Sequence, residues 1–183
     1  MLLLEAQAYF DREEFDPKNG YEALGARDQK IGHIQLHVAK AAMKLLDAEP
    51  EIIIFQVIPD TAIYRSQLIN LLRAPVKQLM VTELDRDYPI AFESAHGWKI
   101  DEESSRKRFG EEIVLASGNL ATYLERLEHG EPGDEDRLRN AVYALNAGSR
   151  GLAEIYSVDI EALHVQRLEE NLGRALHTHL TSQ

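Results

Sequence analysis

The 183-residue chain contains no cysteine, which excludes disulfides and thiolate metal sites and fits an intracellular compartment. No apolar run approaches the ~18 residues that a membrane-spanning helix needs, so no membrane segment is expected. The N-terminal stretch MLLLEAQAYFDREEFD offers three consecutive leucines but no basic n-region and no long apolar core, so no signal peptide is expected. Basic residues are scarce: 20 Lys and Arg stand against 31 Asp and Glu, a formal charge of −11. A protein of duplex nucleic acid carries the opposite balance, and that class is set aside. A small phosphorylated molecule remains open, because its recognition needs only a local cationic patch. Also absent are a Walker loop, GxGxxG, a GxSxG elbow and HExxH. The protein reads as soluble and cytoplasmic.

What is present is apolar material at helical spacing. At 44% apolar composition the chain can fill one substantial core, so residues 1–183 read as a single domain. Residues 2–14 form a short amphipathic stretch, and DPKNG at 16–20 reads as a turn. An early hairpin covers about 28–73: Asp28 is placed to cap a first helix that runs to Ala48 before Pro50 stops it. Ile52–Ile58 is β-branched and nearly unbroken. It reads either as a buried strand or as a buried helix that kinks at Pro59. Helix is preferred, because strand, helix and then VKQLMVTEL would make only a two-stranded parallel sheet, which is poorly stabilised alone. Residues 85–100 form a long irregular connection containing Trp98, the sole tryptophan.

The late helices occupy 101–180. Asp101 is expected to cap the first, whose inward seam is Ile113, Ala116, Leu120, Leu124 and Leu127. HGEPGD (129–134) is a stop, a turn and a new start. Leu138, Val142, Leu145 and Leu152 mark the next seam. YSVD then breaks the helix, and Asp159 caps a last one with Leu168, Leu172 and Leu176 inward. The expected architecture is an all-α antiparallel bundle of five or six helices, arranged as an early and a late helical hairpin.

Chemistry concentrates in HIQLHVAKAAMKLLD. His33, His37, Lys40 and Lys44 are separated by four, three and four residues, which puts them on one stripe of a 3.6-residue helix. Apolar residues cover most of the remaining circumference, so the stripe faces either solvent or a polar interior. If it lines a pocket, Lys40 and Lys44 are suited to phosphate oxygens. His33 or His37 is suited to proton transfer, since an ordinary imidazole titrates near neutrality. Metal is a further reading, because His at i and i+4 is a standard ligand pair; Asp60 and Glu112 are the candidate carboxylates on other helices. Asp60, just after Pro59, is either a first-turn acid worth about 1 kcal/mol or a carboxylate facing the stripe across the hairpin. Glu111 and Glu112 point about 100° apart, so one of them at most faces inward.

HIQLHVAKAAMKLLD followed by VIPDTAIYRSQLINLL resembles a hairpin of the MazG-like all-α nucleoside triphosphate pyrophosphohydrolases. The tail GLAEIYSVDIEALHVQRLEENLGRA resembles the end of such a domain, with SVD at the helix break and Asn171 near the end of the final helix. The resemblance covers about half of the chain in two pieces. It implies Mg²⁺ or Mn²⁺ held by an EExxE pair of turns and a later ExxD, cleavage of a nucleotide between its α and β phosphates, and a homodimer that completes the site. Asp60 matches the final aspartate of that pattern. The chain departs from it at Val57, which stands at the glutamate position, and at His33, His37 and Lys40, which stand where EExxE belongs. In the late hairpin Arg137 and Asn140 fall near the ExxD position. Two expectations follow. One is a divergent phosphohydrolase, with His33 and His37 catalytic, Lys40 and Lys44 on phosphate, and Asp60 and Glu112 on the metal. The other is a non-catalytic helical interaction or dimerisation module that has lost the metal site.

Overall fold

A computed structural model describes residues 7, 10–12, 26–47, 49–72 and 102–181. Among these the chain is all-α, with no strand. Helix α1 is Ala26–Asp47. Helix α2 runs through three consecutive segments: Pro50–Ile52, a π-helical turn at Ile53–Val57, and Ile58–Leu72. Helices α3, α4 and α5 are Glu102–Glu128, Glu135–Ile155 and Ile160–Thr181. No helix among the described residues is long and apolar enough to cross a membrane. The short helix over 2–14 lies largely outside the described residues; so do VKQLMVTEL, the connection at 85–100, Trp98 and the Asp101 cap.

Packing makes a ring. α1 rests on α2 and α3, and α4 rests on the same two, so α2 and α3 face each other along one diagonal. α5 lies outside the ring, chiefly against α2. The core takes Ile113, Ala116 and Leu120 from α3 and Leu138, Leu145 and Leu152 from α4, the seams that sequence periodicity marks, together with Ile31, Ile34 and Val38 from α1; Leu168 of α5 is buried as well. Each buried Val, Ile or Leu among them contributes about 1.5–3 kcal/mol of transfer free energy. α3 and α4 approach most closely at two glycines. A Cβ on Gly151 would lie 2.2 Å from the Phe109 ring, and one on Gly148 would lie 2.7 Å from Ile113 and 2.9 Å from the Phe109 carbonyl oxygen.

Ile52–Ile58 is helical, and Pro59 explains its irregularity. Proline has no N–H for the carbonyl four residues back, and its ring collides with that carbonyl in a regular α-helix. Widening the preceding turn to π spacing removes the collision: the Ile58 N–H reaches the Ile53 carbonyl, five residues back. The Thr61 hydroxyl then donates to the Val57 carbonyl at 2.7 Å.

The helix ends follow local chemistry. α3 and α4 each close with a residue in the left-handed region, Gly130 at φ 72° and Ser157 at φ 51°. In both places the next N–H reaches back to the carbonyl five residues earlier, Glu131 to Arg126 and Val158 to Ala153, at 2.9 Å. This is the Schellman arrangement. Asp134 caps α4 by accepting from the Asp136 N–H at 3.0 Å. Asp159 caps α5 by accepting from Glu161 and Ala162 at 2.9 and 3.1 Å. One expected cap is displaced. α1 starts at Ala26, so Asp28 sits inside its first turn, where the helix dipole favours an acid.

Candidate functional site

Two residues of the α1 stripe, Lys44 and His37, contact α2. At its C-terminal end Lys44 Nζ donates to Gln56 Oε1 at 2.8 Å. Two turns earlier the His37 ring meets the Tyr64 ring, with centroids 5.3 Å apart. One turn before that, the His33 and His37 rings lie 4.4 Å apart and tilted by 44°. The contacts of Lys44 and His37 fix an antiparallel register, and in it Lys40 is level with Asp60, one turn from both Gln56 and Tyr64. The seam therefore sets His37 and Lys44 against Tyr64 and Gln56, with His33 and Lys40 on the same stripe of α1. His33 and His37 are half-buried, while Lys40 and Lys44 reach solvent.

Asp60 already has a cation. Arg167 of α5 donates through Nε to Oδ1 at 2.8 Å and through Nη2 to Oδ2 at 3.4 Å. Both side chains are largely covered, at 16% and 18% exposure. Arg167 Nη1 also donates to Glu170 at 3.1 Å. Burial works against the Arg167 charge, but the bonds to Asp60 and Glu170 outweigh it and hold the guanidinium above its usual range.

Glu112 does not join this group. It stands on α3, two turns before Asn119 on the same face, and Asn119 Oδ1 accepts from Arg137 of α4 at 3.1 Å. That face turns toward α4, whereas Asp60 stands on the diagonally opposed α2. Burial pushes the Glu112 carboxyl up, against the pull of Arg108 and with the added repulsion of Glu111. The expected pairing of Asp60 with Glu112 around one ion has no contact between the two residues to support it: they stand on α2 and α3. Among the described residues no three His, Asp or Glu side chains gather as a metal-binding group. Arg137 and Asn140, in the late hairpin, are both exposed.

Sequence reasoning missed a polar group behind the seam. His164 of α5 is 1% exposed, and its Nε2 lies 2.7 Å from Gln7 Oε1. An amide oxygen only accepts, so Nε2 carries the proton. The Gln7 amide donates to Asp11 at 2.7 Å, and Asn70 of α2 donates to the other Asp11 oxygen at 2.6 Å. The chain of bonds ties the N-terminal residues to α2 and α5, with Phe10 buried beside them. Burial, assisted by the Arg65 charge, lowers the His164 pKa from 6.5 to about 4, so the ring is neutral near pH 7.

A separate cleft of about 380 Å³ opens between α1 and α3 over Ala42, Leu45, Leu46, Gly110 and Val114. Comparison with protein-family profiles, curated proteins and solved structures finds no match.

Proposed function

We propose that the chain is a non-catalytic helical module that binds a small phosphorylated molecule along the α1–α2 seam. In this reading Lys40 and Lys44 meet the phosphate oxygens, and resident side-chain cations stand where a metal-dependent relative would hold Mg²⁺ or Mn²⁺. The observation that carries it is the Asp60–Arg167 ion pair together with the register that sets Lys40 level with Asp60. A divalent cation does not fit this donor set. Its one carboxylate is already paired with a guanidinium, the Gln56 oxygen already accepts from Lys44, and Lys40 and Lys44 add like charge. The same groups suit an anion, because Lys40 and Lys44 are exposed point charges on flexible stems. Contacts of that kind are worth about 1 kcal/mol each. The expected affinity is therefore weak, with a dissociation constant of about 1 mM, roughly −4 kcal/mol.

A thermal-shift panel tests the proposal. Nucleoside triphosphates at millimolar concentration should raise the melting temperature equally with EDTA and with Mg²⁺, by mass action on the folded state. Lys40→Ala with Lys44→Ala should abolish the shift without lowering the melting temperature of the protein alone. A shift that requires Mg²⁺ or Mn²⁺, with release of pyrophosphate, would instead support the divergent MazG-like phosphohydrolase. One feature favours that second reading: His33 and His37 share the α1 stripe with the lysines, and an imidazole next to a bound phosphoester would serve for proton transfer. The expected homodimer belongs to the proposal too. Leu36, Met43 and Leu46 of α1 and Val114 and Leu115 of α3 are exposed, and light scattering would show whether a second copy covers them. A cytoplasmic location, consistent with the cysteine-free composition, completes the reading.

A further inference from the structure

The ring pair at the N-terminal end of the seam carries chemistry of its own. We infer that His33 and His37 form a two-imidazole chelate for a first-row transition-metal ion, with water filling the remaining coordination positions. The two residues lie one turn apart on the same face of a 22-residue helix, so their backbone positions are fixed before any ion arrives. The ring spacing is close to what a shared ion requires. With metal–nitrogen bonds of about 2.1 Å and ring centres about 1.2 Å beyond the nitrogens, two cis imidazoles at about 90° put their centroids roughly 4.6 Å apart, and tetrahedral angles put them roughly 5.3 Å apart. The observed separation is 4.4 Å. The backbone spacing therefore allows both rings to reach one ion after rotation of the side chains, with the smaller movement for a cis octahedral or tetragonal arrangement. The order of preference should be Cu²⁺ over Ni²⁺, with Zn²⁺ reached after ring movement.

Imidazole selects borderline ions over Mg²⁺, so this site is independent of Asp60 and of the phosphate proposal. Each ring has two nitrogens; one can bind the ion while the other keeps a hydrogen bond that fixes the tautomer. Tyr64, whose ring contacts His37 at 5.3 Å, restrains that side chain from swinging away. Lys40, one turn on, opposes a cation, but it is exposed and solvated, so its effect is a few-fold reduction in affinity and not exclusion.

Calorimetric titration of the full chain with NiCl₂, in phosphate-free buffer without nucleotide, tests the inference. One ion per chain should bind, roughly a hundredfold more tightly than to a single imidazole, because the second ligand is supplied intramolecularly. His33→Ala and His37→Ala should each weaken binding at least tenfold, and His129→Ala, at an exposed histidine on the α3–α4 turn, should leave it unchanged. His33→Gln and His37→Gln, which keep side-chain bulk, should repeat the loss in case either alanine variant unfolds. Saturation only in the millimolar range, or micromolar binding that survives both glutamine substitutions, would overturn the chelate.

Discussion

Removing Arg167 is the sharpest perturbation of the seam. Arg167→Ala removes the guanidinium that holds both oxygens of Asp60, a carboxylate 16% exposed in the intact pair. Orphaning one member of a fully buried pair costs about 3–5 kcal/mol, while an exposed pair contributes about 0–1 kcal/mol. The Asp60–Arg167 pair lies between these limits, so a loss of about 2 kcal/mol is expected. For a chain of this size that is a fall of roughly 4–8 °C in melting temperature. Asp60→Asn should cost less, about 1 kcal/mol, because Arg167 keeps its bond to Glu170 and an amide tolerates partial burial. A double-mutant cycle on the two positions should then give a coupling of about 1–2 kcal/mol. Thermal and urea unfolding both measure it. If Arg167→Ala leaves stability within about 0.5 kcal/mol of the parent, Asp60 does not depend on the guanidinium, and the argument that Arg167 stands in for a metal ion collapses.

Three further outcomes follow from the packing. Gly151→Ala drives a methyl group to within 2.2 Å of the Phe109 ring and should destabilise by about 1–3 kcal/mol; Phe109→Leu in the same chain should recover part of that loss in a urea midpoint. Ser157 holds a left-handed conformation at φ 51° that costs a non-glycine residue about 1 kcal/mol, so Ser157→Gly should raise the melting temperature. His164 makes stability depend on pH. The unfolded imidazole takes a proton near pH 6.5 and the buried one resists until about pH 4. Its stabilisation is thus complete above pH 6.5 and lost as pH falls toward 4, up to about 3 kcal/mol. His164→Gln should flatten that part of the stability–pH curve; a slope unchanged between pH 6.5 and 4 would contradict the assignment.

The fold was readable where periodicity and capping agree. Leu138, Val142, Leu145 and Leu152 fall at helical spacing and are all buried, and Asp159 caps α5 as its place after the YSV break suggests. The Ile52–Ile58 run was ambiguous, because a continuous β-branched stretch suits a buried strand and a buried helix equally. Tertiary packing and the adjustment at Pro59 decide for helix. The four-three-four spacing showed that His33, His37, Lys40 and Lys44 share one stripe of α1, but it left open whether that stripe looks at solvent or at a neighbouring helix. The partners across the seam were not, because a helix wheel gives direction and not register. Asp60 illustrates the gap: its cation comes from Arg167, 107 residues later. His164 was within reach of the sequence, since it lies four residues before the inward Leu168 and so on the same buried face.

Backbone amide NMR during titration with ATP in excess EDTA tests the anion site most directly. The account predicts saturable shifts confined to residues 33–44 and 56–64, absent when Lys40 and Lys44 are both alanine. Shifts that arise only after Mg²⁺ is added, or that map to α3 and α4, would contradict it.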